Sequence, residues 1–213
     1  MTSRSIILGI ETAIGGGSIS FLREDGIENG TLVGISRAEE VLIGVDGLLA
    51  DCDLSLDEIE MIAVSLGPGS FTGIRIGIAT ALGLKSSLGA KCVGVNALEG
   101  IAASCRNENM IAVLPLGRGR FVFQQFYRHG PSGSPNVVSE EEFTQILGNL
   151  SDVKILFHSE FGSAAGAQWK PLGNLEGCTE RLSTLIGRCA LAGGGTEDIR
   201  PLYLRNQSKS QGK

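Results

Sequence analysis

The chain has 213 residues, a formal net charge of −5 and a sequence pI near 5.1. This length predicts one large or two small domains. The negative net charge argues against a protein that binds nucleic acid by itself, because phosphate binding requires a basic face. The 31 glycines stand at the ends of predicted elements rather than in a low-complexity tract, so they do not indicate disorder.

The cysteine pattern and the N-terminus predict a cytoplasmic protein. The apolar run Ile6–Ile10 is too short for a signal peptide or a membrane span. The five cysteines are odd in number, scattered, and never spaced as CxxC, which favours reduced thiols over a disulfide frame or a zinc site. They are Cys52, Cys92, Cys105, Cys178 and Cys189.

The first half of the chain reads as three strands followed by alternating helices and strands. The predicted strands are Ser5–Ile10, Ser18–Arg23, Ile27–Val33, Met61–Leu66 and Cys92–Val95. The predicted helices run from a capping box at Ser36 and Glu39 to about Asp51, from Ile74 to Leu88, and from Ala97 to about Cys105. A second capping box, Ser55 with Glu58, predicts a short helical turn. The first helix places Val41, Leu42, Val45, Leu48 and Leu49 on one side.

The second half begins with a predicted hairpin, Ile111–Leu116 and Arg120–Tyr127, followed by a polar turn over His129–Pro135. The later elements are a helix capped by Ser139 and Glu142 and ending near Leu147, a strand Val153–His158, and a helix Glu180–Ala192. The three glycines after that helix are interpreted as a C-cap and a flexible loop rather than an adenosine-binding motif. These patterns predict an α/β protein with one lobe at 1–109 and a smaller one at 110–213.

The segment from Ser65 to Gly77 is the most informative in the chain. A buried strand ends in a turn rich in Gly, Ser and Thr, and the turn leads into a helix whose C-cap is Gly89. Amides at a helix N-terminus can hold an anion, although the turn can equally serve only to join strand to helix. It is neither a Walker A loop, since no Gly-Lys-Ser/Thr follows, nor a dinucleotide GxGxxG motif.

Gly67-Pro68-Gly69-Ser70-Phe71-Thr72-Gly73-Ile74-Arg75-Ile76-Gly77 resembles the hallmark of the TsaB (YeaZ-type) family of bacterial threonylcarbamoyladenosine-biosynthesis proteins. Three other segments add to the likeness: Ile6–Thr12, Asn96–Glu99 and Pro201–Asn206. The resemblance implies an α/β actin-like ATPase (ribonuclease H-like) fold of two lobes, with a truncated second lobe.

The resemblance also implies a function. The chain would be a non-catalytic subunit of the complex that forms threonylcarbamoyladenosine beside the anticodon of tRNA. A TsaD-type catalytic paralogue would hold the metal, and a TsaE-type ATPase would be the third member of the complex. The chain would bind tRNA only as part of that complex. No cofactor would be required, weak ATP or ADP binding stays open, and the isolated chain would be a homodimer. The alternative is a small active ATPase or kinase of the same superfamily.

The superfamily likeness implies a phosphate- or nucleotide-binding set. Its members are Glu11, Thr12, Gly67, Gly69, Ser70, Thr72 and Gly73. Glu11 stands where the superfamily normally has an Asp that helps place a metal–phosphate unit, and it reads equally well as a strand-end carboxylate in solvent. For Ser70 and Thr72, helix capping is the favoured role. In the hairpin, only Arg118 matches the family's Asp-Ala-Arg pattern.

No metal site or catalytic residue is predicted. His129 and His158 lie far apart and form neither HxxxH nor HExxH, so a two-histidine helix site is excluded within one chain. Neither histidine lies in a recognisable nucleophile context. Phe161 and Trp169 are interpreted as packing residues rather than a base-stacking platform.

The helix after the glycine turn is the predicted contact surface for a homodimer and for the catalytic paralogue. Ile74, Gly77, Ile78 and Ala81 share one face, and the two small residues would let a partner helix approach. The alternative is that this face packs on its own lobe's sheet, since any amphipathic helix buries one side. Family resemblance favours pairing.

Overall fold

The computed structural model describes residues 6–23, 26, 28–32, 38–105, 109–128, 130–150, 153–158 and 175–204. Several predicted features lie wholly or partly outside these residues. They include the capping box at Ser36, the first residue of the strand Ser5–Ile10, both end residues of the strand Ile27–Val33, His129, the pair Phe161 and Trp169, and the last two residues of the Pro201–Asn206 segment. Within the described part of the chain, no helix is long and apolar enough to cross a membrane.

The first sheet has five strands in the order β3-β2-β1-β4-β5. Its strands are β1 (Ile6–Glu11), β2 (Ser18–Arg23), β3 (Glu28–Leu32), β4 (Ile59–Ser65) and β5 (Lys91–Val95). The first three form an antiparallel meander, whereas β4 and β5 run parallel to β1. All six residues of β1 are buried, as expected for a central strand covered on both faces.

Three helices complete the first half: α1 (Ala38–Asp51), α2 (Phe71–Leu88) and α3 (Ala97–Ala103), with a 3₁₀ turn at Leu56–Glu58. The capping box of Ser55 with Glu58 is confirmed. Helix α2 begins three residues before the predicted start because Ser70, not a later residue, is its N-cap, and Gly89 ends it in the left-handed conformation as predicted. In α1 the prediction for Leu42 was wrong, since this side chain is 43% exposed while Val41, Val45, Leu48 and Leu49 are buried.

The second sheet repeats the strand order of the first, β10-β9-β6-β7-β8. Its strands are β6 (Asn109–Gly117), β7 (Arg120–Tyr127), β8 (Gly130–Ser139), β9 (Lys154–His158) and β10 (Leu175–Cys178). The β6–β7 hairpin is confirmed. The prediction of a turn over His129–Pro135 was wrong for the described residues 130–135, because these residues open β8, an edge strand where Pro131 and Pro135 do not interrupt a central ladder. Strand β10 was not predicted.

Two more helices follow in the described residues, α4 (Glu140–Gly148) and α5 (Leu182–Leu191). The capping box at Ser139 and Glu142 is confirmed and starts α4. Helix α5 does not stay with the second sheet but packs on β1, β2 and β4 of the first, and on α3. Although the sequence prediction places residues 110–213 in the second lobe, α5 and the described residues that follow it contact the first half of the chain.

Small residues and hydroxyls make the contact between α5 and the first sheet. A Cβ atom on Gly9 would overlap the carbonyl oxygen of Ser183, so only glycine fits at this point of β1. The Ser20 hydroxyl lies 2.6 Å from the hydroxyl of Ser183 and 2.8 Å from that of Thr184, and all three are buried. The hydroxyls satisfy one another, which offsets the cost of removing them from water.

The first turn of α2 lies directly against the end of β1. A Cβ atom on Gly73 would overlap the carbonyl oxygen of Thr12, and the obstacle is backbone that cannot rotate away. Ten residues later in the same helix, a Cβ on Gly83 would meet nothing within 4 Å. Packing therefore requires glycine at Gly73 but not at Gly83.

Replacing Gly73 by Ala should lower the free energy of unfolding by about 3 kcal/mol, because over-packing must displace either α2 or β1. Gly83→Ala, in the same helix, should raise it by about 0.5–1 kcal/mol, because alanine restricts the unfolded chain and favours helix. Urea unfolding followed by circular dichroism measures both. A neutral result for Gly73→Ala would show that α2 is not held against β1 as described.

Candidate functional site

The glycine turn connects the C-terminal end of β4 to α2 and passes beside the end of β1. Gly67 has a positive φ of 96°, and a Cβ at this position would lie 2.7 Å from Cδ1 of Ile74. A Cβ on Gly69 would lie 2.6 Å from the carbonyl oxygen of Ala13. Glycine is thus favoured at Gly67 by the positive φ and required at Gly69 by contact with backbone.

Three amides of the turn are already hydrogen-bonded within the chain. The Gly67 N–H donates to the Ser65 hydroxyl at 3.2 Å, the Ser70 N–H to the carbonyl of Ala13 at 2.8 Å, and the Gly73 N–H to the Ser70 hydroxyl at 3.3 Å. The last bond confirms the capping role favoured for Ser70. Since these donors have internal acceptors, the amides of Gly67, Ser70 and Gly73 are not directed at a phosphate in this structure. Thr72 is exposed in the first turn of α2.

Glu11 and Thr12 lie inside the protein rather than at a solvent-facing strand end. Glu11 is 1% exposed, and its Oε1 accepts a hydrogen bond from the Ala13 N–H at 2.6 Å. The interpretation of Glu11 as a carboxylate in solvent was therefore wrong. The Thr12 hydroxyl, also buried, donates to the carbonyl of Gly73 at 2.7 Å. Glu11 therefore holds the loop after β1 in shape, and Thr12 joins that loop to the first turn of α2.

The four residues predicted as an interface face the interior of their own lobe. Ile74, Gly77, Ile78 and Ala81 are buried, and the nearest group to a Cβ on Gly77 would be the Thr12 hydroxyl. The prediction that they form a pairing surface is corrected accordingly, because the helix face that meets the sheet is not available to a partner. The alternative reading, packing on the lobe's own sheet, is what the structure shows.

The outer sides of α1 and α2 carry apolar residues that the sequence reading missed. Four of the exposed large apolar side chains lie on these helices: Leu42 and Ile43 on α1, and Phe71 and Leu82 on α2. Ile43 is 69% exposed and Leu82 40%. The signal was present in the sequence, since α1 has apolar residues beyond the stripe that its sheet contact can bury.

The C-terminal segment packs against the glycine turn. The Leu202 N–H donates to the carbonyl of Leu66 at 2.7 Å, and the Tyr203 ring stacks on Phe71 with centroids 4.8 Å apart. The Arg75 Nε donates to the Tyr203 hydroxyl at 3.0 Å, and its guanidinium lies 3.8 Å from the Phe71 centroid. Two motifs that lie about 130 residues apart in sequence are therefore in contact.

A cleft of about 400 Å³ opens beside this contact. Its walls come from the turn, from both sides of the β6–β7 hairpin, from β8 and from the C-terminal segment, and include Gly69, Arg120, Val137 and Tyr203. Arg118, at the hairpin tip with a φ of 55°, is not among the lining residues. The structure thus brings Gly69 and Phe71 of the turn near Arg120, but it does not gather the whole predicted set around this space.

The remaining predicted positions lie elsewhere. The loop at Gly193–Gly195 ends α5 as predicted, but it is not a flexible loop: the next residue, Thr196, exchanges backbone hydrogen bonds with Gly94 of β5 at 2.8 and 2.9 Å. His158 is buried, with Nε2 2.5 Å from the carbonyl oxygen of Glu180. Among the described residues, no group of three or more His, Cys, Asp or Glu could hold a metal ion.

Comparison with known proteins places the chain beside two related groups. Residues 35–131 match the family model described as TsaD, tRNA N6-adenosine threonylcarbamoyltransferase. The chain is 33% identical over 126 residues to the Bacillus subtilis protein called tRNA threonylcarbamoyladenosine biosynthesis protein TsaB. The aligned region covers 58% of this chain and 55% of the Bacillus subtilis protein. It is 43% identical over 68 residues to a tRNA N6-adenosine threonylcarbamoyltransferase of Chelativorans sp., covering 32% of this chain and 19% of that one.

The chain therefore spans about half the length, or less, of these curated relatives. Among solved structures, YeaZ from Pseudomonas aeruginosa aligns with 94% of this chain and 100% of its own, with a TM-score of 0.66 and 21% identity. That likeness shows the fold, which is a mixed α/β architecture with two five-stranded sheets of the same strand order. The chain is thus similar in sequence to proteins named TsaB and TsaD, and similar in fold to YeaZ.

Proposed function

We propose that the chain is a TsaB-type subunit that takes part in forming threonylcarbamoyladenosine in tRNA, and that it acts by binding a TsaD-type catalytic paralogue. The similarity to the Bacillus subtilis TsaB protein is the observation that carries this proposal. The acidic charge is consistent with a subunit that meets tRNA only through the complex. In the same proposal a TsaE-type ATPase is the third member and the complex is cytoplasmic.

The internal hydrogen bonds of the glycine turn support a role without phosphoryl transfer. A transferred phosphoryl group needs donors that point at it, and the amides of Gly67, Ser70 and Gly73 bond to the protein instead. The motif then serves to lock α2 onto β1, which is a scaffolding task. Weak ATP or ADP binding remains compatible with the proposal, whereas sustained turnover does not.

The outer surface of α1 and α2 is the proposed docking site for the paralogue and, in the isolated chain, for a second copy. Its apolar residues, Leu42, Ile43 and Leu82, are exposed on two helices that contact each other. Burying them against a partner helix would remove apolar area from water at roughly 25 cal/mol per Å². The small residues Ala79 and Gly83, both exposed on α2, leave room for close approach.

Replacing Leu82 by Arg should weaken binding to the TsaD-type paralogue by about tenfold or more, because an unpaired guanidinium would be buried in an apolar interface. Ile43→Arg should do the same. Leu150→Arg is the matched control, since Leu150 is 37% exposed, close to the 40% of Leu82, and lies just after α4. Titration of purified proteins by surface plasmon resonance gives the affinities, and size exclusion reports homodimerisation.

Retained binding by Leu82→Arg and Ile43→Arg would place the partner elsewhere. A loss of binding by Leu150→Arg to the same degree would show that the effect is not specific to α1 and α2. A failure of the wild-type chain to bind the paralogue at all would reject the proposed function itself. Circular dichroism of each variant separates lost contact from lost fold.

The purified chain should hydrolyse ATP far more slowly than the roughly 1–1,000 per second typical of enzymes, since the turn's amides are engaged internally. A coupled assay with and without Mg²⁺ measures this rate. Turnover in the enzymatic range that Glu11→Gln abolishes would favour the alternative, a small active ATPase or kinase. Turnover that Glu11→Gln leaves unchanged would indicate a contaminating enzyme.

A further inference from the structure

A second and larger cavity, of about 700 Å³, lies away from the glycine turn. It is bounded by α3 from Glu99 onward, the end of α5 with the loop that follows it, and the adjoining ends of β7 and β8. Glu99, Cys105, Phe126, Pro131, Cys189 and Gly194 are among the residues that line it. Since α3 and α5 pack together while β7 and β8 belong to the second sheet, the cavity joins elements of both halves.

The walls are mostly apolar and well ordered by packing. Phe126, Cys105 and Cys189 are buried in their own elements and present only small parts of their side chains to the cavity. Alanines and glycines make up much of the rest, which is why space remains between the elements. The loop that closes one side is fixed, because Gly194 donates its N–H to the carbonyl of Cys189 at 2.9 Å and Thr196 is bonded to β5. A cavity of this size and lining is typical of small-molecule sites.

Glu99 is the one carboxylate among the lining residues that the structure describes. It is half-buried, and no hydrogen bond or salt bridge joins its carboxylate to any other described residue. Desolvation by burial raises the pKa of this carboxyl group. The charge of Glu99 also affects Cys189. The pKa of the Cys189 thiol is raised to about 11, mainly because the thiol is buried and to a smaller extent because of the negative charge of Glu99. A carboxylate of this kind is stabilised by a cation that enters the cavity.

We propose that this cavity binds a small organic amine, with the ammonium group at the Glu99 carboxylate and the apolar body of the ligand against Phe126 and Pro131. The inference is independent of the tRNA-modification function proposed above.

Charge selects this class of ligand over the alternatives. An anion would be repelled by Glu99, the one charged side chain among the described lining residues, and a neutral ligand would leave the partly desolvated carboxylate without compensation. An ammonium group both neutralises the carboxylate and donates hydrogen bonds to it. The apolar walls favour a ligand whose remaining atoms are hydrocarbon or aromatic, because burying those atoms removes apolar surface from water.

The test uses the full chain and three probes of nearly equal size: 2-phenylethylamine, 2-phenylethanol and 3-phenylpropionate. Isothermal titration should show the amine binding at least tenfold more tightly than the alcohol, with no detectable binding of the acid. In Glu99→Gln the amine should lose this preference and bind no better than the alcohol. Asp46→Asn, which removes an exposed carboxylate from α1 and changes the net charge equally, should behave as wild type.

Wild-type binding that does not distinguish amine from alcohol would overturn the proposal, as would an amine preference that survives in Glu99→Gln. Absence of saturable amine binding by the wild-type chain would overturn it as well.

Alkylation of cysteines supplies a readout that needs no variant. Cys105 and Cys189 line the cavity, whereas Cys92 is equally buried but lies on β5 and does not line it. Saturating 2-phenylethylamine should slow the modification of Cys105 and Cys189 by N-ethylmaleimide at least fivefold, while Cys92 reacts at an unchanged rate, as measured by peptide mass spectrometry. Equal slowing of all three cysteines, or of none, would show that the amine does not occupy this cavity.

Discussion

The close backbone contact between the start of α2 and the end of β1 is the constraint on which the first lobe depends. Gly69 and Gly73 let the turn and the first helical turn rest on the carbonyl oxygens of Ala13 and Thr12, with no Cβ between the two backbones. The hydrogen bonds from Ser70 to Ala13 and from Thr12 to Gly73 then close the contact in both directions. Because β1 is the central strand and α2 covers its sheet, a displacement here would move the packing of β4 as well.

The last part of the chain stabilises this arrangement from the other side. Helix α5 lies on β1 and β2 where Gly9 permits contact with the backbone of Ser183, and the following residues bond to β5 and then to Leu66. The first sheet is therefore held by segments from both ends of the chain, and forming it requires contacts more than 160 residues apart. Such contacts carry a large loop-closure cost, which the buried apolar area of β1, β2 and α5 must offset.

Local chemistry made much of the fold predictable, and distant contacts account for most of what was not. The capping boxes at Ser55 and Ser139 and the Gly89 C-cap were readable because each acts within four residues of its own helix end. The burial of Glu11 was not readable, since it depends on what packs beside β1 rather than on the strand itself. Likewise, β8 carries two prolines and reads as a turn until β7 is known to pair with it on the sheet's edge.

The contrast between local signals and distant contacts also explains why the glycine motif was easier to find than to interpret. A helix N-terminus preceded by glycines has the composition of an anion site and also that of a close backbone contact. Which of these it becomes is decided by the acceptors nearby, and here Ser65, Ala13 and Ser70 take up three of the amides. A chain can thus retain this motif in full for packing alone. The geometry of the turn then sets which face of α2 points outward, so the residues available to a partner follow from the packing that the motif enforces.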